Sequence, residues 1–194
     1  NLNQSCMETI QRAGQAEQTI NKSRFIALAA HCANEREVLQ MLKKMASEHP
    51  HANHLAFAYQ LKTPGGIVQR MNDAAEPSGT AGRPILQHIE GQGLVNVCVG
   101  VIRYYGGINL GTGGLARAYG GTAKLALDAA VRMPYVEMGE IGLEMDYASF
   151  DGFCREVEKL NGRILDKQFD SSVRVRASVP ASDAAALQAK YQRR

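Results

Sequence analysis

Apolar positions along this chain recur with two different spacings, and the switches between them mark its elements. Thr19–Ala30 is rich in β-compatible residues and reads as a first strand. Asn34-Glu35-Arg36-Glu37 then starts a helix, with an N-cap asparagine and an acid at the third helical position. Val38, Leu42, Met45 and Ala46 fall on one helical face, and His49-Pro50 ends it, because the residue before proline avoids helical dihedrals. Leu55–Leu61 and Ile67–Met71 predict two strands joined across Pro64-Gly65-Gly66 as a hairpin. Asn72–Gly82 is small, polar and turn-forming, and reads as a loop. Pro84 suits a first helical position, and Ile85, Leu86 and Ile89 give a short helix ending near Gly91. Leu94–Ile102 is the longest apolar run and predicts a central strand. Leu115, Ala118, Tyr119, Ala123 and Leu127 form the next helical stripe. Residues 1–18 are polar and irregular and read as a loose arm.

Pro134 stops that last helix and predicts a boundary between a domain over residues 1–133 and another over 134–194. Ile141, Leu143, Met145 and Tyr147 alternate with polar or small residues as a half-buried strand does. Ser149 is placed to cap a helix whose face is Phe150, Phe153, Val157 and Leu160, closed by Asn161-Gly162. Arg163–Phe169 predicts a strand and Asp170-Ser171 a turn. Val173, Val175, Ala177 and Val179 mark another alternating strand, and Ser182 opens a final helix. The order β-α-β-β-α is a ferredoxin-like βαββαβ without its last strand. Truncation after Arg194 is the expectation, and a sheet with one unpaired edge is the alternative. No internal repeat, long linker or low-complexity stretch interrupts the chain.

Between the central strand and its helix, residues 103–121 hold seven glycines, two arginines and three tyrosines. Strand, glycine loop and helix in that order turn backbone N–H groups toward one point, where a helix start adds unpaired donors and partial positive charge. A phosphate-like anion is the natural guest. The candidate anion- or nucleic-acid-binding residues are Arg103, Tyr104, Tyr105, Gly106, Gly107, Gly111, Thr112, Gly113, Gly114 and Arg117, with Lys124 as a further cation. Tyr104 and Tyr105 alternate faces if the strand continues, so one is placed to be exposed and to stack a base, with core or rim packing as the equal alternative for both. The competing reading is architectural, since glycines also serve positive φ and close backbone approach. The stretch lacks the Gly-Lys-Ser/Thr of a phosphate-binding P-loop and the GxGxxG of a dinucleotide fold.

Composition changes the picture only slightly. The chain has 194 residues, 45% of them hydrophobic and 21% charged, with a formal net charge of +3. Residues 1–131 carry 12 Lys and Arg against 9 Asp and Glu, whereas 132–194 balance at 10 each. The excess lies with the glycine loop and permits an anionic partner without requiring one. No apolar run approaches the roughly 18 residues of a membrane span and no secretory leader opens the chain, so a cytoplasmic protein with no membrane partner is expected. Cys6, Cys32, Cys98 and Cys154 form no CxxC pair and read as reduced thiols. His49, His51 and His54 sit at a helix end, a turn and a strand start, and need not converge, so no metal or cofactor is expected. Arg174 and Arg176 share one face of their strand and read as solvent-side residues, with RNA contact on an open sheet face as the alternative.

The segments Glu76-Pro77-Ser78-Gly79-Thr80-Ala81-Gly82, Arg103-Tyr104-Tyr105-Gly106-Gly107 and Leu110-Gly111-Thr112-Gly113-Gly114-Leu115 resemble the YigZ/IMPACT family. Ser23-Arg24-Phe25 and His49-Pro50 through His54 are also similar. The resemblance implies an α+β protein of two domains. The first would have the ribosomal-protein-S5-domain-2-like fold, the second a ferredoxin-like fold, as in domains IV and V of elongation factor G. The elongation-factor analogies imply RNA or ribosome contact, and eukaryotic relatives, which regulate translation during amino-acid starvation through protein partners, imply a translation protein as partner. His54, Glu76, Ser78 and Thr80 become an accessory loop set. The family's usual Asp-Asp-Gly-Glu-Pro is here Asp73-Ala74-Ala75-Glu76-Pro77, so one acid and one glycine are missing.

Three functions stay open from the residues together with the resemblance. The leading one is a non-enzymatic, cytoplasmic RNA-, ribosome- or translation-protein-binding factor, with no catalytic residues. The second is a kinase-like enzyme using the glycine loops on a small phosphorylated molecule. The third is a protein-interaction module.

Overall fold

The longest apolar run of the sequence becomes the middle strand of a five-stranded antiparallel sheet in the computed structural model, which describes residues 7–193. The chain divides into two compact units, residues 1–135 and 136–194. The first contains β1 (Glu8–Arg12), β2 (Gly14–Ile20), β3 (Ser23–His31), α1 (Glu35–Glu48), β4 (His54–Thr63) and β5 (Gly66–Asn72). It continues with α2 (Gly82–Gly91), β6 (Val97–Tyr104), α3 (Gly111–Ala129) and β7 (Val131–Pro134). The main sheet has the order β2-β3-β6-β4-β5, while β1 and β7 form a separate pair.

From Val97 to Ile102 strand β6 carries no polar side chain, because both its faces are covered. Val97, Val99 and Val101 join Phe25, Ala27 and Ala58 beneath α2 and α3. Cys98 faces the other way, with Cys32, Val38, Tyr59 and Leu61 on the α1 side. Each fully buried valine contributes about 1.5–3 kcal/mol relative to exposure. Asn34 caps α1 as its spacing predicts, accepting the Glu37 N–H at 3.0 Å.

The described part of residues 1–18 is not a loose arm. Met7 onward enters β1 and β2, while residues 1–6, with Cys6, lie outside the described residues. Polarity misleads here because β2 is an edge strand wetted on one side. Ile10 of β1 is nonetheless buried, and Gly14 runs so close under α3 that a Cβ there would lie 2.1 Å from the Ala126 carbonyl oxygen. The β2–β3 connection is a two-residue turn with Asn21 and Lys22 at φ 45° and 66°, the twist a tight hairpin needs.

The glycine stretch also differs from its expected form. Gly111, Thr112, Gly113 and Gly114 are the first turn of α3 rather than loop, so the true loop spans only residues 105–110.

The second unit contains β8 (Met138–Met145), α4 (Tyr147–Lys159), β9 (Arg163–Phe169), β10 (Val173–Pro180) and α5 (Ala181–Tyr191). Its antiparallel sheet has the order β8-β10-β9, the ferredoxin-like arrangement of a split β-α-β. Helix α4 begins at Tyr147, ahead of Ser149, and Asp146 stands at its N-cap without a side-chain bond. Val173, Val175, Ala177 and Val179 pack on Phe153, Val157 and Leu187. After α5 the Arg193 N–H donates to the Glu144 carbonyl at 3.0 Å, beside the β8 edge where that fold places a fourth strand. The fold is therefore α+β, an S5-domain-2-like unit followed by a small ferredoxin-like one.

Candidate functional site

Five segments of the first unit meet at one end of the main sheet. His54 opens β4, Ser23 opens β3, Arg103 lies near the end of β6, Glu76 follows β5 and Tyr119 lies within α3. Strand alternation dictates the arrangement: Arg103 continues the inward row of Val97, Val99 and Val101 and is only 4% exposed. A guanidinium in that position requires a partner. Glu76 supplies it, with Arg103 Nη1 donating to Oε1 at 2.9 Å and to Oε2 at 2.7 Å.

The rest of the cluster completes the pairing. The Tyr119 hydroxyl donates to Glu76 Oε2 at 2.6 Å, and His54 Nε2 stands 3.2 Å from Oε1. His54 Nδ1 meets the Ala74 carbonyl at 2.7 Å. Ser23 Oγ accepts from Arg103 Nη2 at 3.3 Å. The guanidinium lies between the rings of Phe25 and Tyr105, 5.7 and 5.3 Å from their centroids. Burial first, then the neighbouring Glu76 carboxylate, drives the Tyr119 phenol far above its ordinary pKa, so it remains a donor.

The loop carrying Glu76 is shaped by Asp73. Its Oδ2 accepts the Gly79 N–H at 2.9 Å, and its Oδ1 accepts those of Ala81 at 3.1 Å and Gly82 at 2.8 Å. One carboxylate thus closes the loop and satisfies the start of α2, whose own N-cap, Ala81, offers no side-chain bond. Burial alone would raise the Asp73 carboxyl; the N–H groups of Gly79, Gly82 and Ala81, with Arg83 nearby, outweigh it and hold the pKa below the ordinary value. Ala74 and Ala75 take φ 50° and 67°, and Ala75 stands where the family pattern has glycine. Thr80 is buried, its hydroxyl on the Pro77 carbonyl, whereas Ser78 is exposed.

Above this closed base stands an open rim. Tyr105 is 47% exposed, its hydroxyl on Asn109 at 3.1 Å and its N–H on Asn53 at 2.8 Å. Ile108 is exposed beside it. The Gly106 N–H donates to Ser23 Oγ at 3.2 Å, and a Cβ on Gly106 would lie 2.1 Å from the Lys22 carbonyl carbon. Gly107 uses positive φ, 86°. Gly111, Thr112 and Gly113 are exposed at the start of α3, Gly114 is half-buried, and Arg117 folds back over the turn, 3.2 Å from where a Gly113 Cβ would be.

The structure therefore regroups the sequence candidates. Arg103 leaves the phosphate-facing set and joins His54 and Glu76 in the interior. Tyr104 points to the opposite face, its hydroxyl 2.7 Å from His49 Nδ1, with Arg24 over its ring. Lys124 pairs with Asp128 along α3 at 2.8 Å. Arg176 pairs with Glu140, and Arg174 faces solvent. Cys32 and Cys98 are buried and Cys154 half-buried, all three as free thiols. Among the described residues no three His, Cys, Asp or Glu side chains gather as a metal site, and no helix is long and apolar enough to cross a membrane. Asp73, Tyr119, Ser23 and Asn53 belong to this cluster and its rim although the sequence did not nominate them as site residues. Asp73 carried a signal there as an acid within turn-forming residues before a helix, and Ser23 and Asn53 lay within stretches similar to the family.

Fold and site define a two-unit α+β protein with an exposed, hydrogen-bonded rim on its larger unit. The Impact N-terminal domain model matches residues 21–127, and a domain of unknown function (DUF1949) matches residues 143–190. The chain belongs to the IMPACT family. It is 34% identical over 172 residues to IMPACT family member YigZ of Escherichia coli, covering 88% of this chain and 84% of the relative. An IMPACT family member in the pol 5′ region of Thermus thermophilus is 44% identical over 128 residues, 66% of this chain and 68% of that protein. A solved structure described as a hypothetical protein superposes with a TM-score of 0.73 at 31% identity, covering 95% of this chain and 90% of that one.

Proposed function

We propose that this chain is a non-enzymatic factor that docks onto the translation machinery, the ribosome or a protein bound to it, through the rim formed by Tyr105, Ile108 and Arg117. One observation carries this reading. An exposed aromatic and an exposed aliphatic side chain are carried on a loop whose start is tied down by hydrogen bonds from the Tyr105 and Gly106 N–H groups, which lowers the ordering cost of binding. Exposed apolar groups on a rigid scaffold mark interaction surfaces. Family membership supports the translation setting, because the resemblance carries eukaryotic relatives that regulate translation through protein partners.

The closed cluster weighs against catalysis. Both Glu76 oxygens already accept from Arg103, and His54 and Tyr119 complete them. Arg103, the cation a kinase-like phosphate loop would want beside its glycines, is committed to Glu76. RNA is the second form of partner, favoured by Arg117, an exposed cation of α3 that makes no ion pair among the described residues, together with the exposed Tyr105 ring.

The test is co-sedimentation of the full chain with ribosomes, at low and high salt, for wild type and the Tyr105→Ala/Arg117→Glu double variant. Both substitutions are at exposed positions, so the variant melts near wild type. Loss of ribosome binding in the variant supports docking at the rim, with steep salt dependence indicating RNA. Equal binding by both proteins, or none by wild type, overturns it.

A further inference from the structure

Strand β5 is the outer strand of the main sheet, and it exposes Ile67 (48%) and Met71 (44%). Open edges are normally blunted by bulges, prolines or charge. The β4–β5 register instead runs without a shift from Thr63↔Gly66 to Phe57↔Asn72, and β5 contains no proline. At the opposite edge β2 offers Gln15, Glu17 and Thr19. The start of α2 crowds Asn72, since a Cβ on Gly82 would lie 2.8 Å from its nitrogen, so the free edge is Gly66–Met71.

Neighbouring bonds fix which backbone groups point outward. The Lys62 N–H donates to Asn96 Oδ1 at 3.0 Å, on the β6 side of β4, so Lys62 turns its backbone away from β5. Its partner Ile67 is therefore a non-hydrogen-bonded position within the hairpin. By alternation Ile67, Gln69 and Met71 aim N–H and C=O at the free edge. Their side chains share the α2 face with Ala58 and Gln60. Gln69 is drawn inward, its Nε2 at 2.7 Å from Gln60 Oε1 and 2.9 Å from Glu90 Oε1.

This edge is complementary to itself. Turned about a two-fold axis through Gln69, a second copy pairs antiparallel, with Ile67 opposite Met71, Gln69 opposite Gln69 and Met71 opposite Ile67. All three are outward-bonding positions, so about six main-chain hydrogen bonds form. The two exposed apolar residues meet each other twice. On the other face Arg70 meets Val68, so no like charges stand directly opposed.

We propose that the β5 edge is a self-association surface, joining two five-stranded sheets into one continuous sheet. A single strand pair is a small interface, so the dimer is weak and concentration-dependent.

The experiment uses the full chain. Light scattering across a concentration series is expected to show a monomer–dimer equilibrium that Ile67→Lys/Met71→Lys abolishes. Under mild oxidation Gln69→Cys is expected to cross-link about tenfold faster than Arg70→Cys or wild type, because facing Cα atoms at ~5.5 Å suit a disulfide whereas diagonal neighbours at ~7–8 Å do not. Circular dichroism checks that each variant keeps its fold. A wild type monomeric throughout, a dimer that survives the double lysine variant, or equal cross-linking at positions 69 and 70 overturns the proposal. Edge binding by unrelated extended peptides without self-association overturns it equally.

Discussion

Arg103 and Glu76, 27 residues apart in sequence, form an almost fully buried pair in which one guanidinium nitrogen reaches both carboxylate oxygens, at 2.9 and 2.7 Å. Their side chains are each 5% exposed. The pair joins the end of β6 to the loop before α2, and the Tyr119 hydroxyl adds a bond that helps offset the desolvation of two charges, with His54 Nε2 3.2 Å from the other carboxylate oxygen.

Glu76→Gln keeps the shape and removes the charge, leaving Arg103 buried without its counter-ion. A loss of about 3–5 kcal/mol is expected for breaking such a pair from one side. Urea unfolding followed by circular dichroism measures it. A loss below about 1 kcal/mol, the value of an exposed pair, would show that water reaches the site.

Asp73 makes stability depend on acid. Its folded pKa lies below the ordinary aspartate value because bonds from the Gly79, Gly82 and Ala81 N–H groups, with Arg83, outweigh burial. The stabilisation is therefore fully present above the unfolded value, about 4, and disappears as pH falls through the folded one. Asp73→Asn should be less stable at neutral pH and show a flatter decline on acidification. Parallel acid limbs for variant and wild type would contradict the assignment.

Ala75→Gly should stabilise the protein. At φ 67° an alanine pays roughly 1 kcal/mol that glycine does not, partly offset by glycine's freer unfolded chain. A higher denaturant midpoint with an unchanged slope is the expected result, and a lower midpoint refutes it.

Gly106→Ala should do the reverse. Its Cβ would collide with the Lys22 carbonyl carbon at 2.1 Å, backbone against backbone. Forced packing of that kind costs about 1–3 kcal/mol. Hydrogen exchange should show the loss concentrated at the β2–β3 turn and residues 105–110. Unchanged protection there would mean that the turn yields freely.

Much of this architecture was legible before any coordinates. The Asn34 cap, the central apolar strand and the alternation of Val173 to Val179 each follow from local chemistry that tertiary contacts reinforce. Strands β1 and β2 were not legible, because edge strands wetted on one side hide among polar residues. At the site, Arg103, Glu76 and His54 could be nominated singly, yet their union could not. It depends on Arg103 continuing an inward row, and nothing in its glycine-rich surroundings announces that. Tyr119 read as one more residue on a helical stripe, and its phenol gains meaning only when Glu76 arrives beneath it.

The missing side chain at residue 106 has a wider consequence. Because the Lys22 backbone fills that space, the hairpin tip and the aromatic-bearing loop are a single mechanical piece, though 83 residues separate Gly106 from the Ser23 that binds its amide. Lengthening the tip by one residue would tilt Tyr105 as surely as altering its own loop. These two stretches can diverge only in step.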